Sequence, residues 1–81
     1  ELVYTSIDFK TDLQEWVQKN KLGVLQYKII NESGPDHEKE FVTAITINDV
    51  EYGIGTGKSK KSSEQNAAIA ALSKLKKNNG N

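Results

Sequence analysis

The sequence contains no cysteine, arginine or methionine, and only one histidine and one proline among its 81 residues. Without cysteine it can form neither a disulfide nor a thiolate metal site. One histidine cannot build a zinc site by itself. No apolar run approaches the roughly 20 residues that cross a bilayer, and the first residues show no signal-peptide pattern. We therefore expect a cytoplasmic protein, or a piece of one, with no membrane contact.

The formal net charge is zero, but the charges are unevenly distributed. Residues 1–52 carry five lysines and ten acidic residues, whereas residues 53–81 carry six lysines and Glu64 alone. A lysine cluster attracts phosphate groups within a Debye length of about 10 Å, whatever distant carboxylates do. The basic part of the chain can therefore bind a polyanion, or its lysines can serve only to keep a helix end in solution.

A first helix is predicted over residues 8 to about 19, with Asp8 as a favourable N-cap. Apolar residues recur at helical spacing on one face, namely Phe9, Leu13, Trp16 and Val17. Polar residues recur at the same spacing on the opposite face, namely Thr11, Gln14, Glu15 and Gln18. We expect the apolar face to pack on a core and the polar face to meet solvent or a ligand.

Three strands are predicted at residues 25–31, 41–47 and 50–56, followed by a second helix that begins near Ser59. The order α-β-β-β-α predicts an α+β fold, a two-layer sandwich in which two helices pack on one face of a three-stranded antiparallel sheet. We expect residues 1–7 to be a linker or arm from an upstream domain, residues 8–76 to form the domain, and residues 77–81 to be a frayed tail.

Residues 53–62, GIGTGKSKKS, contain the Gly-Lys-Ser triplet that ends the phosphate-binding loop of nucleotide hydrolases. That loop requires its first glycine at position 52, which is Tyr52, so a nucleotide-binding loop is excluded. Gly55 and Gly57 would instead let the strand turn sharply into the helix, with positive φ allowed. The helix N-terminus and its lysines would then suit the phosphates of a polymer backbone.

Three segments together resemble the double-stranded RNA-binding domain. They are DFKTDLQE at residues 8–15, GPDH at 34–37 with Phe41 and Val42, and GTGKSKK at 55–61 with Ala67, Ala68 and Leu72. The resemblance covers about residues 8–76. It is greatest to the C-terminal domain of bacterial-type ribonuclease III.

The resemblance implies three regions that contact one face of an A-form RNA duplex, reading its shape rather than its sequence. The residues for the first minor groove would be Thr11, Gln14 and Glu15. Those for a second minor groove would be Gly34, Pro35 and His37. Those for the phosphates across the intervening major groove would be Lys58, Ser59, Lys60 and Lys61. Glu64 replaces a basic residue of some relatives and would soften this binding.

The implied function is the substrate-binding domain of a ribonuclease III that processes duplex RNA. The parent nuclease would use magnesium in a separate domain rich in carboxylates, and any homodimer would form through that domain. We expect no catalytic residue, metal site, nucleotide or cofactor in the present chain. The alternative is a domain of a non-enzymatic adaptor or viral decoy that sequesters double-stranded RNA, and a third possibility is a fold used only for protein contacts.

Overall fold

The computed structural model describes residues 8–80, so the predicted arm at residues 1–7 lies outside the described residues, as does Asn81. The elements are α1 (Phe9–Lys19), β1 (Leu25–Ser33), a short 3-10 helix (Asp36–Glu38), β2 (Glu40–Ile47), β3 (Val50–Gly57) and α2 (Lys60–Gly80). Their order confirms the predicted α-β-β-β-α arrangement. Because α2 continues to Gly80, it extends beyond residue 76, and fraying of the tail stays a prediction.

The three strands form one antiparallel sheet in the order β1-β2-β3. Ile45 in the central strand lies opposite Tyr27 on one side and Gly53 on the other. The turn between β2 and β3 consists of Asn48 and Asp49, both with positive φ, at 52° and 67°. Such a turn matches the right-handed twist of paired strands, which explains why this pair closes the hairpin.

The core lies between the sheet and the two helices, which pack on the same face. Its buried members come from α1, β2 and α2, and they are Leu13, Val17, Ile45, Ile47, Ala67, Ala68, Ala71, Leu72 and Leu75. Phe9 and Trp16 are partly buried against this cluster. The apolar face predicted for α1 therefore meets the core, as do the buried alanines of α2, and the predicted two-layer sandwich is confirmed.

The glycines of β3 allow α2 to lie directly against the sheet. Gly53, Gly55 and Gly57 belong to the strand. A Cβ at Gly55 would come within 2.0 Å of the backbone nitrogen of Ala67, and one at Gly53 within 2.6 Å of that of Ala71. Neither Gly55 nor Gly57 has positive φ. The strand nevertheless ends at Gly57 and α2 begins at Lys60, so the chain turns from strand to helix over two residues without the positive φ that glycine allows. Close packing of α2, and not backbone rotation, excludes a side chain at Gly53 and Gly55.

Within the described residues, no helix has the length and apolar character that crossing a bilayer requires.

Candidate nucleic-acid interface

The polar face of α1 is exposed, and Asp8 fixes where it begins. One carboxylate oxygen of Asp8 accepts hydrogen bonds from the backbone nitrogens of Lys10 (3.1 Å) and Thr11 (3.4 Å), and the other accepts from the Thr11 hydroxyl at 3.0 Å. The hydrogen bond from Gln65, followed by that from Thr11, lowers the pKa of Asp8 below its ordinary value of 3.8. The Thr11 hydroxyl donates in this contact and keeps its lone pairs for an outside donor, and Gln14 and Glu15 are exposed on the same helix.

The loop between β1 and β2 is shaped by Gly34. This residue has a φ of +97°, and a Cβ on it would lie 2.5 Å from the carbonyl oxygen of Glu38. The Pro35 carbonyl accepts a hydrogen bond from the Glu38 nitrogen at 2.8 Å, which closes the short 3-10 helix. His37 is exposed in the middle of that helix. The loop is thus internally braced, and its histidine side chain faces solvent.

The start of α2 is closed by two serines. The Ser59 hydroxyl accepts from the Ser62 nitrogen at 3.0 Å, and the Ser62 hydroxyl accepts from the Ser59 nitrogen at 3.3 Å. This reciprocal pair is a capping box with serine at its third helical position. Ser59 therefore has a structural role beside its predicted phosphate contact. Lys58, Lys60 and Lys61 are exposed around this point.

A buried hydrogen bond anchors the same helix start to the sheet. The hydroxyls of Thr43 and Ser63 are 2.7 Å apart, and Ser63 also donates to the Lys60 carbonyl at 2.8 Å. Because a hydroxyl has a single hydrogen, Thr43 must be the donor to Ser63. The central strand therefore holds the backbone that carries the lysines.

The folded chain places the start of α2 between the other two predicted regions. On one side, Lys60 and Lys61 share a surface depression with Thr11 and Gln14 of α1. On the other side, Lys58 shares a second depression with His37. We call the first of these the α1–α2 depression. All ten predicted residues are exposed. Six of them line one of the two depressions, whereas Glu15, Gly34, Pro35 and Ser59 line neither.

The α1–α2 depression also contains residues that the sequence reasoning missed. They are Asp8, Lys10, Tyr27 and Gln65, together with Glu64, which was treated as an isolated charge. The Lys10 ammonium lies 2.5 Å from the Glu64 carboxylate. Lys10 precedes Gln14 by four residues on the same helix, and this spacing alone would have predicted that the two side chains are neighbours. Nothing local indicates a partner 54 residues further along the chain.

Tyr27 forms the inner wall of this depression. Burial raises the pKa of Tyr27 to about 12, with smaller contributions from the charges of Glu64 and Asp8. Its hydroxyl is buried without a hydrogen-bond partner among the described residues. The phenol is therefore neutral at physiological pH.

Metal ligands are not grouped in this part of the chain. Across residues 8–80, no three side chains of histidine, aspartate or glutamate lie together in a way that could hold a metal ion. The exposed groups of the candidate interface are hydrogen-bonding side chains and ammonium groups, which suit contacts to hydroxyls and phosphates.

Comparison with known proteins gives a family and a set of relatives. Residues 9–75 match the sequence model described as the double-stranded RNA binding motif. The chain is 57% identical over 70 residues to Ribonuclease 3 of a Geobacillus species, covering 86% of this chain and 28% of that protein. It is 59% identical over 68 residues to Ribonuclease 3 of Caldanaerobacter subterraneus, covering 84% of this chain and 30% of that protein. The chain thus spans less than a third of these relatives.

Solved structures show the same architecture. A structure of Arabidopsis HYL1, described in connection with miRNA processing, superposes with a TM-score of 0.70 at 38% identity and covers 83% of this chain and 94% of that one. The first dsRBD of HYL1 gives a TM-score of 0.68 at 37% identity, covering 82% of this chain and 93% of that one.

Proposed function

This chain belongs to the double-stranded RNA-binding motif family, and we propose that it binds double-stranded RNA through α1, the β1–β2 loop and the start of α2. One observation carries the proposal. The exposed lysines at the start of α2 lie between the polar side chains of α1 and the loop that carries His37. A basic centre with a hydrogen-bonding region on each side matches the order of grooves along an A-form duplex.

Each region suits the groove that we assign to it. Thr11, Gln14 and Glu15 would meet 2′-hydroxyls and base edges in one wide, shallow minor groove. Gly34, Pro35 and His37 would meet 2′-hydroxyls in the next minor groove. The Pro35 carbonyl already accepts one hydrogen bond but retains a second lone pair for a hydroxyl.

The phosphates of the intervening major groove would be bound by Lys58, Ser59, Lys60 and Lys61. Ammonium groups on long stems act as point charges and do not discriminate bases. Binding should therefore depend on shape and be largely independent of sequence. B-form DNA should bind weakly, because it lacks the 2′-hydroxyl and its groove widths differ.

We further propose that the chain is the substrate-binding, non-catalytic domain of a ribonuclease III. Identities of 57% and 59% to proteins named Ribonuclease 3 support this parentage. Cleavage of duplex RNA, the use of magnesium, any homodimer and a cytoplasmic location would then be properties of the parent nuclease. The alternative, a domain of a non-enzymatic adaptor or viral decoy, shares the RNA-binding step, and the identities of 57% and 59% to Ribonuclease 3 proteins favour the ribonuclease III parentage over it.

A binding titration tests the RNA-binding proposal directly. The chain is titrated with matched RNA and DNA duplexes of about 20 base pairs, long enough for the roughly 16 that such a domain spans, and with single-stranded RNA. Each titration is repeated at two salt concentrations. We expect salt-sensitive binding to duplex RNA and weak binding to the other two. Equal binding to all three would mean that the lysines form a nonspecific basic patch and would contradict recognition of the duplex RNA shape. No binding to any of them would favour a fold used for protein contacts.

A further inference from the structure

An ion pair joins α1 to α2 inside the α1–α2 depression. The Lys10 ammonium and the Glu64 carboxylate are 2.5 Å apart, and their side chains are 37% and 22% exposed. The same ammonium lies 5.1 Å from the centre of the Tyr27 ring. Lys10 is therefore held by α2 and by β1 at once, so it does not extend freely into solvent as a long surface lysine usually does.

The next residue of α2 makes a second link to the first turn of α1. The Gln65 side-chain oxygen accepts a hydrogen bond from the Phe9 nitrogen at 2.9 Å, and its nitrogen donates to Asp8 at 3.0 Å. Phe9 opens α1 and Asp8 caps it. Two consecutive residues of α2, Glu64 and Gln65, thus contact the first turn of α1 and its cap.

Glu64 lies one helical turn after Lys60 and three residues after Lys61, in the same depression as Thr11 and Gln14. Simple electrostatics predicts that a carboxylate here repels phosphate. However, the Lys10 ammonium in direct contact compensates that charge. The softening of phosphate binding expected of Glu64 therefore does not follow from its charge once the partner is included.

We propose that Glu64 is a positioning residue. Its ion pair with Lys10 holds the polar face of α1, which we assign to the first minor groove, at a set distance from the lysines at the start of α2. The inference rests on the proposed function. Shape recognition requires two contact regions at a fixed separation, because a minor groove and the neighbouring phosphates are a fixed distance apart in A-form RNA. Holding that separation before binding lowers the ordering cost of association.

The sign of one substitution distinguishes positioning from repulsion. Glu64→Gln removes a negative charge near the lysines, so repulsion alone predicts tighter RNA binding. Positioning predicts binding about threefold to tenfold weaker, together with a smaller preference for RNA over DNA. Glu51→Gln is the matched control, because it makes the same charge change at an exposed position of β3 outside the depression. It should leave affinity and preference unchanged.

Two further variants isolate the geometry. Glu64→Asp keeps the charge but shortens the side chain by one methylene. It should weaken RNA binding if the contact between this carboxylate and Lys10 positions α1, and should have no effect if only the charge matters. In a Lys10→Gln background, Glu64→Gln should no longer weaken binding, because the pair is already broken. Melting temperatures confirm that each variant is folded.

The wild-type titration separates this inference from the proposed function. If wild-type chain does not bind duplex RNA, the proposed function fails and the positioning role fails with it. If the wild-type chain binds duplex RNA, the positioning role can still fail by itself. It is overturned if Glu64→Gln binds RNA as tightly as the wild type or more tightly, with an unchanged ratio of RNA affinity to DNA affinity. Weaker binding by both Glu64→Gln and Glu64→Asp, with Glu51→Gln unchanged, supports it.

Discussion

Two adjoining segments, residues 53–57 (the glycine segment) and residues 58–61 (the lysine segment), differ sharply in their surroundings. Gly53 and Gly55 are buried beneath α2, whose backbone leaves no room for a Cβ. The side chains of the lysine segment are exposed at the start of that helix. A continuous glycine- and lysine-rich stretch can therefore contain residues needed for packing directly beside residues that are free to bind a ligand. Substitutions in the two segments should therefore change different quantities.

The largest effect is expected from Gly55→Val in the glycine segment. Its Cβ would lie 2.0 Å from the Ala67 nitrogen, which is backbone and cannot rotate away. We expect a loss of about 3 kcal/mol or more in the free energy of unfolding, measured by urea denaturation. Thr56→Val, on the exposed side of the same strand, is the control and should change stability little. A stable Gly55→Val variant would contradict the close packing of α2 on β3.

The lysine segment should respond in binding and not in stability. Replacing both Lys60 and Lys61 with alanine should weaken duplex RNA binding about tenfold or more, because two charge-assisted contacts are lost. The slope of log affinity against log salt should fall by about 1 to 2, since fewer counterions are released. The melting temperature should remain near that of the wild type. An unchanged slope would contradict the phosphate role.

A smaller effect is expected on the minor-groove side. Gln14→Ala should weaken RNA binding about threefold to tenfold through loss of one or two hydrogen bonds, with stability nearly unaltered because Gln14 is exposed. Gln26→Ala, at an exposed position of β1 outside the three predicted contact regions, is the matched control and should leave binding unchanged. Titrations of the three proteins against one RNA duplex provide the measurement. A large fall in melting temperature would give Gln14 a structural role.

The smallest effect concerns the link between the helices and depends on pH. The pKa of Asp8 is lowered in the fold from its ordinary 3.8, so its ionised form stabilises the folded state above pH 3.8. That stabilisation is lost as pH falls below 3.8 towards the lowered value. Asp8→Asn retains a good N-cap but cannot titrate. The melting-temperature advantage of the wild type over Asp8→Asn should therefore shrink in that window, and a constant difference would contradict the linkage.

Much of the fold was predictable because its signals are local. The spacing of Leu13 and Val17 indicates one face of a helix, and Asn48-Asp49 indicates a tight hairpin, whatever surrounds them. The lysine segment was likewise recognised from neighbouring residues. The reason for a glycine at position 55 was not predictable in this way, because glycine permits both positive φ and close packing, and the residue type alone does not distinguish them.

Local patterns in the sequence were sufficient to predict the order of elements, the apolar face of α1 and the identity of the exposed basic residues. These depend on periodicity and composition within each segment. Two features became visible only in the folded chain: the backbone of α2 packs against the glycine segment, and Glu64 pairs with Lys10. Both depend on contacts between residues far apart in the chain, and the distance between two side chains on different elements is set by how those elements pack, which no local pattern specifies.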